Sequence, residues 1–521
     1  MYRSVQNSYL TICAFCGSPD PLFTFPPPHI KIETELTRQG EIFVYECPNC
    51  GGNLKFDIES QLLQCEHCLT TQDPYSTPED KGAEEHNDFD VTVFTCPQCG
   101  GEILSTDTSA AEFCSFCGAS TILHSRISRQ LRPSHIIPFK MTKDACKKAY
   151  ISRVRRALFA PNELRDEKHI DGFRGIYMPY WAYSITQKGP VSMKGEKSYR
   201  KGDYIYTDHY DLTGEIDASY YDISYDASSS FSDSISERIA PFNVRDSRKF
   251  TPAFLSGFYA DTADVDSGLY KQEAIDLANS TSGRRVKSTP AFSGLKFPAE
   301  GNSFATNIAL NTYCHEPERV MYPVWFLSYR KDGRVAYATV NGQNGRIAAD
   351  IPMDIRKYLT GSALLAVPIF FLLNLFLTIK PTLLLSLSGL LAGATLILYL
   401  MELSDIYRRD QKMDDRGYLF RQNGRIFRGK PGAVNLRELL SHSAFPGKSH
   451  VPAIAGPLLS LLVTVLIHVI NPVSDLWYYG GTILSYVGIL SAITAIIQKY
   501  NILATRKLPQ FQRHGGDDYA K

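Results

Sequence analysis

The chain has 521 residues, with 55 Lys and Arg against 54 Asp and Glu, a formal net charge of +1. That length allows three or four domains and a sizeable core, while the balanced charge lacks the global basic excess of a nucleic-acid binder. The opening MYRSVQNSYLTICAFCG holds neither the apolar stretch nor the cleavage site of a secretory signal, so the front of the chain is expected to start in the cytosol.

Ten of the twelve cysteines form five Cys-x-x-Cys pairs. Small secreted domains use cysteines for disulfides, whereas pairs at the head of a long intracellular chain read as metal ligands. A redox dithiol would need a βαβ context that the pattern lacks. Residues 1–46 carry the first pair, Cys13 and Cys16, as an unmatched knuckle. No opening half precedes it, which leaves it an orphan, a recruiter of His29 or of a partner chain, or a partner of Cys47 and Cys50 in a shifted scheme.

The stretches CPNCGGNLKFDIESQLLQCEHC and CPQCGGEILSTDTSAAEFCSFC repeat one spacing, with 14 residues between the second and third cysteine. Each is expected to be a zinc ribbon, over 47–71 and 96–124. Cys47, Cys50, Cys65 and Cys68 would hold one Zn²⁺, and Cys96, Cys99, Cys114 and Cys117 a second; Cys13 and Cys16 would add a third site if their ligand set is completed. Four thiolates fill a tetrahedral ion, so these sites are structural and not catalytic. Gly51-Gly52 and Gly100-Gly101 follow the knuckles, where the backbone needs φ values that glycine adopts freely. Segments such as 52–59 suit short strands, and His67 is expected to be a solvated residue.

Residues 134–358 read as an α+β cytosolic domain. Residues 142–159 form a basic amphipathic helix, with Ala145, Ala149, Ile151, Val154 and Leu158 at helical intervals and Lys147, Lys148, Arg153, Arg155 and Arg156 elsewhere. Its first reading is a solvated surface helix; contact with anionic lipid headgroups or nucleic acid is the second. From 172 to 351 aromatic and β-branched residues with Asn-Gly and Asp-Gly turns indicate strands. YMPYW ending at Trp181 and MYPVW ending at Trp325 repeat a proline two residues before a tryptophan, which predicts two related β lobes with these tryptophans in their cores. The polar stretch 222–238 reads as loops and turns. No H-E-x-x-H, G-x-S-x-G or phosphate-binding loop is present.

The rest of the chain is apolar in two blocks. Residues 361–401 supply two spans broken at Lys380-Pro381, and 452–497 supply two more joined by NPVSD, beside which Trp477, Tyr478 and Tyr479 are set for an aromatic belt. The 402–450 loop carries ten Lys and Arg, whereas the short turns offer only Lys380. Positive residues stay inside. The expectation is therefore a multi-pass protein of the inner or plasma membrane with four transmembrane helices, a cytosolic 402–450 loop, and cytosolic termini that include a 498–521 tail. No Asp, Glu, Lys or Arg lies within a span, which disfavours a conduit. Asn374 and His468 read as interhelical or interfacial groups, and Gly389-x-x-x-Gly393 as a packing site within the bundle or between protomers of a homo-oligomer.

The ribbon pairs, Pro138-Phe139-Lys140 within HIIPFKMTKDA, GIYMPYWAY at 175–183, the region from DASYYDISYDA to LSGFYAD, and YPVWFLSYRKDGRVAYATVNGQNGRI at 322–347 together resemble bacterial TFIIB-type zinc-ribbon membrane proteins. Members are often labelled primosomal or helicase-like, and the chain lacks the phosphate-binding loop an ATPase needs. The resemblance covers most of 47–350 and the membrane tail. It implies a membrane anchor of the kind encoded beside flotillin-like SPFH proteins and phage-shock protein A homologues, recruiting them under envelope stress. To that pattern this chain adds the Cys13/Cys16 knuckle, a doubled ribbon, and two hairpins with a basic loop.

The fold expected is thus multidomain: tandem zinc ribbons, a β-rich cytosolic domain with two related lobes, and a C-terminal four-helix transmembrane region. The function expected is a non-enzymatic scaffold that docks protein partners at the bilayer. Its rival is a membrane-tethered nucleic-acid binder using the ribbons and the basic helix on phosphates.

Overall fold

The strand alternation of the middle region builds one large sheet. In a computed structural model the described residues are 45–76, 88–105, 114–118, 124–290, 293–297, 310–331, 333–376, 378–410 and 450–507. The first ribbon forms its own antiparallel sheet from β1 (Leu54–Phe56), β2 (Leu63–Cys65) and β3 (Thr71–Gln72). A 13-stranded sheet follows. Its strands are β4 (Asp88–Thr95), β5 (Glu102–Ser105), β6 (His124–Leu131), β7 (His135–Ile136), β8 (Arg174–Lys201), β9 (Tyr204–Asp226), β10 (Arg248–Lys249), β11 (Tyr259–Ala260), β12 (Asn311–Cys314), β13 (Glu318–Lys331), β14 (Arg334–Asn341), β15 (Ile347–Ala349) and β16 (Arg506–Lys507). The main path runs β10-β7-β13-β8-β11-β5-β4-β6, with β9 and β12 also paired to β8 and with β14 on β13. The second ribbon is therefore stitched into this sheet through β5.

Strand β13 shows why a core lies on each face. Successive side chains of a strand point to opposite sides, so Met321, Trp325 and Leu327 enter one cluster with Tyr150, Tyr177 and Phe254. Val320, Tyr322, Val324 and Phe326 enter another with Met178, Tyr180 and Phe231. The two proline-tryptophan motifs sit side by side, Pro179 opposite Met321 and Tyr177 opposite Pro323, on neighbouring antiparallel strands. The expected pair of lobes thus resolves into two strands of one sheet. Trp325 is buried and donates to the Met141 carbonyl at 2.8 Å. Trp181 is only half-buried, with its indole bonded to the Val265 carbonyl and the Arg319 guanidinium 5.2 Å above its ring.

The quoted family motifs converge on one aromatic cluster. The Phe139 ring lies 5.0 Å from Tyr177, 4.5 Å from Phe258 and 5.1 Å from Trp325. Gly342 leaves the room that the Phe139 ring fills, and Gly175 the room that Phe258 fills. These motifs are fixed by packing.

Helix α1 (Lys143–Arg156) starts where expected, with Thr142 accepting from the Ala145 amide, but it ends short of 159. Its inward face is Cys146, Tyr150 and Val154, spaced four apart; of the expected set Val154 is buried and Ile151 packs at the edge of the core, whereas Leu158 is 75% exposed. Short α2 (Glu167–Ile170) follows. Residues 222–238 are not loop throughout: β9 runs to Asp226, a buried turn holds Ser228 and Ser229, and α3 (Asp233–Ile239) begins after it. Ser228 and Ser230 both donate to Asp261, and Ser229 to Asp264, so the serine run is an internal network. Helix α4 (Lys271–Lys287) packs over β8 and β9 through Ala274 and Ala278.

Among the described residues, four helices are long and apolar enough to cross a membrane: α5 (Ile355–Phe376), α6 (Pro381–Asp410), α7 (His450–Ile470) and α8 (Asp475–Leu503). One end of the bundle gathers Leu403, Ala453 and Ala495, the other Leu385, Ile467 and Tyr478, so α7 runs antiparallel to α6 and α8, which are parallel to each other. Gly389 meets Thr464 of α7, so its glycine pattern packs within the bundle, and Gly456 meets Gly488 backbone to backbone. His468 bridges helices, bonded to Ser386 at 3.0 Å and to the Thr464 carbonyl at 2.8 Å. Trp477 and Tyr479 are exposed, but Tyr478 turns inward and donates to Asn471.

The expected 498–521 tail is corrected at its start, because α8 runs to Leu503 and β16 then pairs with β14, Arg334 opposite Lys507. Arg334 also donates to the carbonyls of Ile502 and Thr505, capping α8. The Asn501 amide exchanges two 2.7 Å bonds with the backbone of Met353, just ahead of α5. The helices are thereby bolted to the sheet at both their entry and their exit.

Candidate metal centres

Each knuckle turns on a short backbone ring. Gly51 N–H donates to the Cys47 carbonyl, Gly100 to Cys96, Leu69 to Cys65 and Gly118 to Cys114, all between 2.8 and 3.0 Å. The residue after the second cysteine must adopt positive φ to make that bond. Gly51 (+69°), Gly100 (+79°) and Gly118 (+68°) do so without penalty, while Leu69 does so at +60° and carries the left-handed cost of about 1 kcal/mol. Gly52 serves a different need: a Cβ there would stand 2.4 Å from the His67 ring and 3.3 Å from Cys65 Sγ.

These turns bring the eight cysteines together as the spacing implies. Cys47 Sγ is 3.5 Å from Cys68 and Cys50 Sγ 3.4 Å from Cys65; Cys96 is 3.7 Å from Cys117 and Cys99 3.7 Å from Cys114. Within each set all four sulfurs lie within 4.8 Å of one another. A tetrahedral ion with metal–sulfur bonds of about 2.3 Å spaces its sulfurs about 3.8 Å apart, so both clusters fit two structural metal sites. His67 is exposed and supplies no ligand to the set. Cys13, Cys16 and His29 lie outside the described residues.

The two sites differ in cover. Cys50 and Cys68 are exposed in the first, whereas all four cysteines of the second are buried. Thr70 supports the open side: its hydroxyl is 3.1 Å from Cys68 Sγ and accepts from Asn49 at 3.0 Å. Hydrogen bonding from Thr70 draws the Cys68 thiol down to about 6, in favour of a thiolate. Sequence reasoning passed over Thr70, although a hydroxyl two residues beyond the last cysteine is a recognisable outer-shell donor.

Both ribbons are seated on the large domain. Ser256 donates to the Leu54 carbonyl, Phe56 packs edge-on to Phe254 at 5.1 Å, and the Gln61 amide reaches the Phe139 carbonyl at 2.8 Å. The second ribbon meets β13 and β14, where Tyr337 donates to the Phe116 carbonyl at 2.7 Å and Arg330 to Gln98 at 2.9 Å. Burial holds the Tyr337 phenol well above its ordinary value. Tyr337 also carries the Arg506 guanidinium 5.7 Å from its ring. One side chain thus touches the second metal loop and the strand that ends the helical bundle.

Away from the metals, a cavity of about 640 Å³ opens between β9, α3 and α4, lined among others by Tyr180, Tyr225, Tyr270, Asp226 and Asp233.

The chain is similar to the uncharacterized protein YdjG of Bacillus subtilis (strain 168), 26% identical over 320 residues that cover 61% of this chain and 92% of that protein. No protein-family model matches the chain, and no solved structure does.

Proposed function

We propose that the protein is a non-enzymatic scaffold, stapled by two structural Zn²⁺ ions and anchored in the bacterial inner membrane by four helices, that docks flotillin-like SPFH or phage-shock protein A-type partners in the envelope-stress response. Four thiolates per ion leave no coordination position for a substrate, which supports a structural role for the metal. The anchor reading draws on the attachment of α5 and α8 to one sheet, since the chain then enters and leaves the bundle on a single side. The helix ends that flank the basic 402–450 segment, at Leu403 and Ala453, lie with Ala495 on that side, and positive residues stay inside. The ribbons, the sheet and both termini are accordingly cytosolic, where thiols remain reduced.

The observation that carries the docking role is the β8–β9 arm. Beyond Glu196, which bridges to Lys296, residues 197–211 are all exposed. This tip presents Tyr199, Tyr204, Ile205, Tyr206 and Tyr210, with Tyr204 72% and Ile205 74% exposed. Tyrosine supplies large contact area at low conformational cost and dominates interface hot spots. The tip 197–211 balances Lys197, Arg200 and Lys201 against Asp203, Asp208 and Asp211, so its aromatic and aliphatic surface, not a net charge, is what it offers a partner. The ribbon region 47–124 is acidic, with thirteen Asp and Glu against two Lys, a poor match for nucleic-acid phosphates.

The test is crosslinking and co-purification of the full chain, extracted from membranes, with a co-expressed SPFH or phage-shock protein A-type partner. Capture should persist in moderate salt and fall at least tenfold when Tyr204, Ile205 and Tyr206 are all replaced by Ser. Capture that ignores the arm, or steeply salt-dependent DNA or RNA binding by the intact protein, overturns the reading.

A further inference from the structure

The position of helix α1 in the fold separates a solvated surface helix from one that meets lipid headgroups or nucleic acid. The turn after it runs into the foot of the helical bundle. Phe159 packs edge-on against Tyr358 at 5.1 Å, its carbonyl accepts from the Asp354 amide at 2.7 Å, and a Cβ on Gly361 would come within 2.9 Å of its ring. Lys357 reaches back to the Ala160 carbonyl and to Asn162. On the other flank Arg153 is within electrostatic reach of Tyr500, near the end of α8. The last turns of α1 therefore sit at the level where two apolar helices begin and end.

What this corner exposes is basic side chains around an apolar tip. Lys148, Arg153, Arg155 and Arg156 are exposed, and Leu158 is 75% exposed. Lys148, Ile151, Ser152, Arg155 and Arg156 line a shallow depression. Among the described residues no carboxylate pairs with Lys148, Arg153, Arg155 or Arg156; the nearby Glu163 is held by Lys331, and Lys147 is held by Asp171. A solvated helix has no need of an uncovered leucine beside unpaired arginines. A nucleic-acid groove has no need of either at the foot of a membrane anchor.

We infer that the C-terminal half of α1, with Leu158, is a binding site for the phosphates of anionic lipid headgroups in the cytosolic leaflet. It rests on the reading of the apolar helices as membrane spans. Arg153, Arg155 and Arg156 engage the phosphates, and Leu158 dips into the acyl boundary as the apolar edge of an interfacial helix does. Each basic residue at an anionic surface contributes about fivefold in affinity.

The experiment uses the full chain in lipid nanodiscs, and its first readout is tryptic cleavage after Arg153, Arg155 and Arg156 in the wild-type protein. Phosphatidylglycerol discs should slow cleavage at least tenfold relative to phosphatidylcholine discs, and 10 mM inorganic phosphate should not reproduce that protection in phosphatidylcholine. The second readout is the number of phosphatidylglycerol molecules retained in native mass spectrometry. Arg153→Gln/Arg155→Gln/Arg156→Gln should abolish the preference, while Arg200→Gln/Lys201→Gln on the distant arm should leave it intact. Equal cleavage in both discs, protection by free phosphate alone, or protection by a short DNA duplex in phosphatidylcholine discs overturns the inference. A chain that needs detergent yet shows no lipid preference sinks this inference alone; a chain soluble without detergent sinks the membrane reading beneath it.

Discussion

Replacing Gly342 by Ala probes the packing on which the large sheet domain is organised. A Cβ at this position would lie 2.5 and 2.6 Å from two Phe139 ring carbons and 2.9 Å from Pro323 Cβ. The ring has little room to retreat, because Tyr177, Phe258 and Trp325 enclose it. Nor can the backbone give cheaply: the Gly342 carbonyl accepts from Lys140 and Met141, and its amide donates to Pro323. Overpacking costs about 1 to 3 kcal/mol, and strain on one of those bonds adds about 1 kcal/mol. The expected loss is about 3 kcal/mol, or a fall of roughly 6 to 12 °C in the midpoint for a domain of this size. Thermal unfolding of the detergent-purified chain, followed by tryptophan emission, reports it directly, since Trp325 is 5.1 Å from Phe139. The double variant Gly342→Ala/Phe139→Leu, in which the clashing ring is gone, should be more stable than the sum of the single effects by at least about 1 kcal/mol. A tolerated Gly342→Ala, or strict additivity, would refute the reasoning.

Three further outcomes follow from the same geometry. A colorimetric chelator should strip the metals in two phases, the first ribbon ahead of the second, because only the first exposes two of its thiols; Cys65→Ser should remove the fast phase and leave the slow one. Burial pushes the Asp261 carboxyl up to about 7, so the folded state keeps a proton that the unfolded chain releases near pH 4. For an acid raised in this way stability is full below the unfolded value and is lost as pH rises through the folded one, at about 1.4 kcal/mol per unit over that window. Midpoints should therefore fall between pH 5 and 7 in the wild type and change less in Asp261→Asn. Asn501→Ala removes both bonds to Met353 and should cost about 2 kcal/mol locally, read as roughly 30-fold faster amide hydrogen exchange at Met353.

The metal knuckles were legible because their determinants are local: four cysteines, a glycine and a repeated interval suffice. The apolar helices were legible for the same reason, since length and hydropathy alone select them. What eluded the sequence was set by distant contacts. Helical spacing alone points the alanines of α1 inward, whereas Cys146 and Tyr150 fill the space beside Phe173 and Ile170. The two tryptophan motifs looked like separate lobes because their antiparallel pairing brings together residues more than 140 positions apart. Strand β16 is two residues long, so no periodicity marks it, and only its partner β14 defines it. The tyrosine arm carries no local mark either, since its projection from the sheet depends on where the neighbouring segments stop covering it.

The most direct test is the metal content of the full chain purified from detergent-extracted membranes. The account predicts that the eight ribbon thiolates hold two zinc ions, that Cys65→Ser lowers the content by one, and that adding Cys114→Ser removes the other. A chain absent from the membrane fraction, or present there without metal, would contradict it.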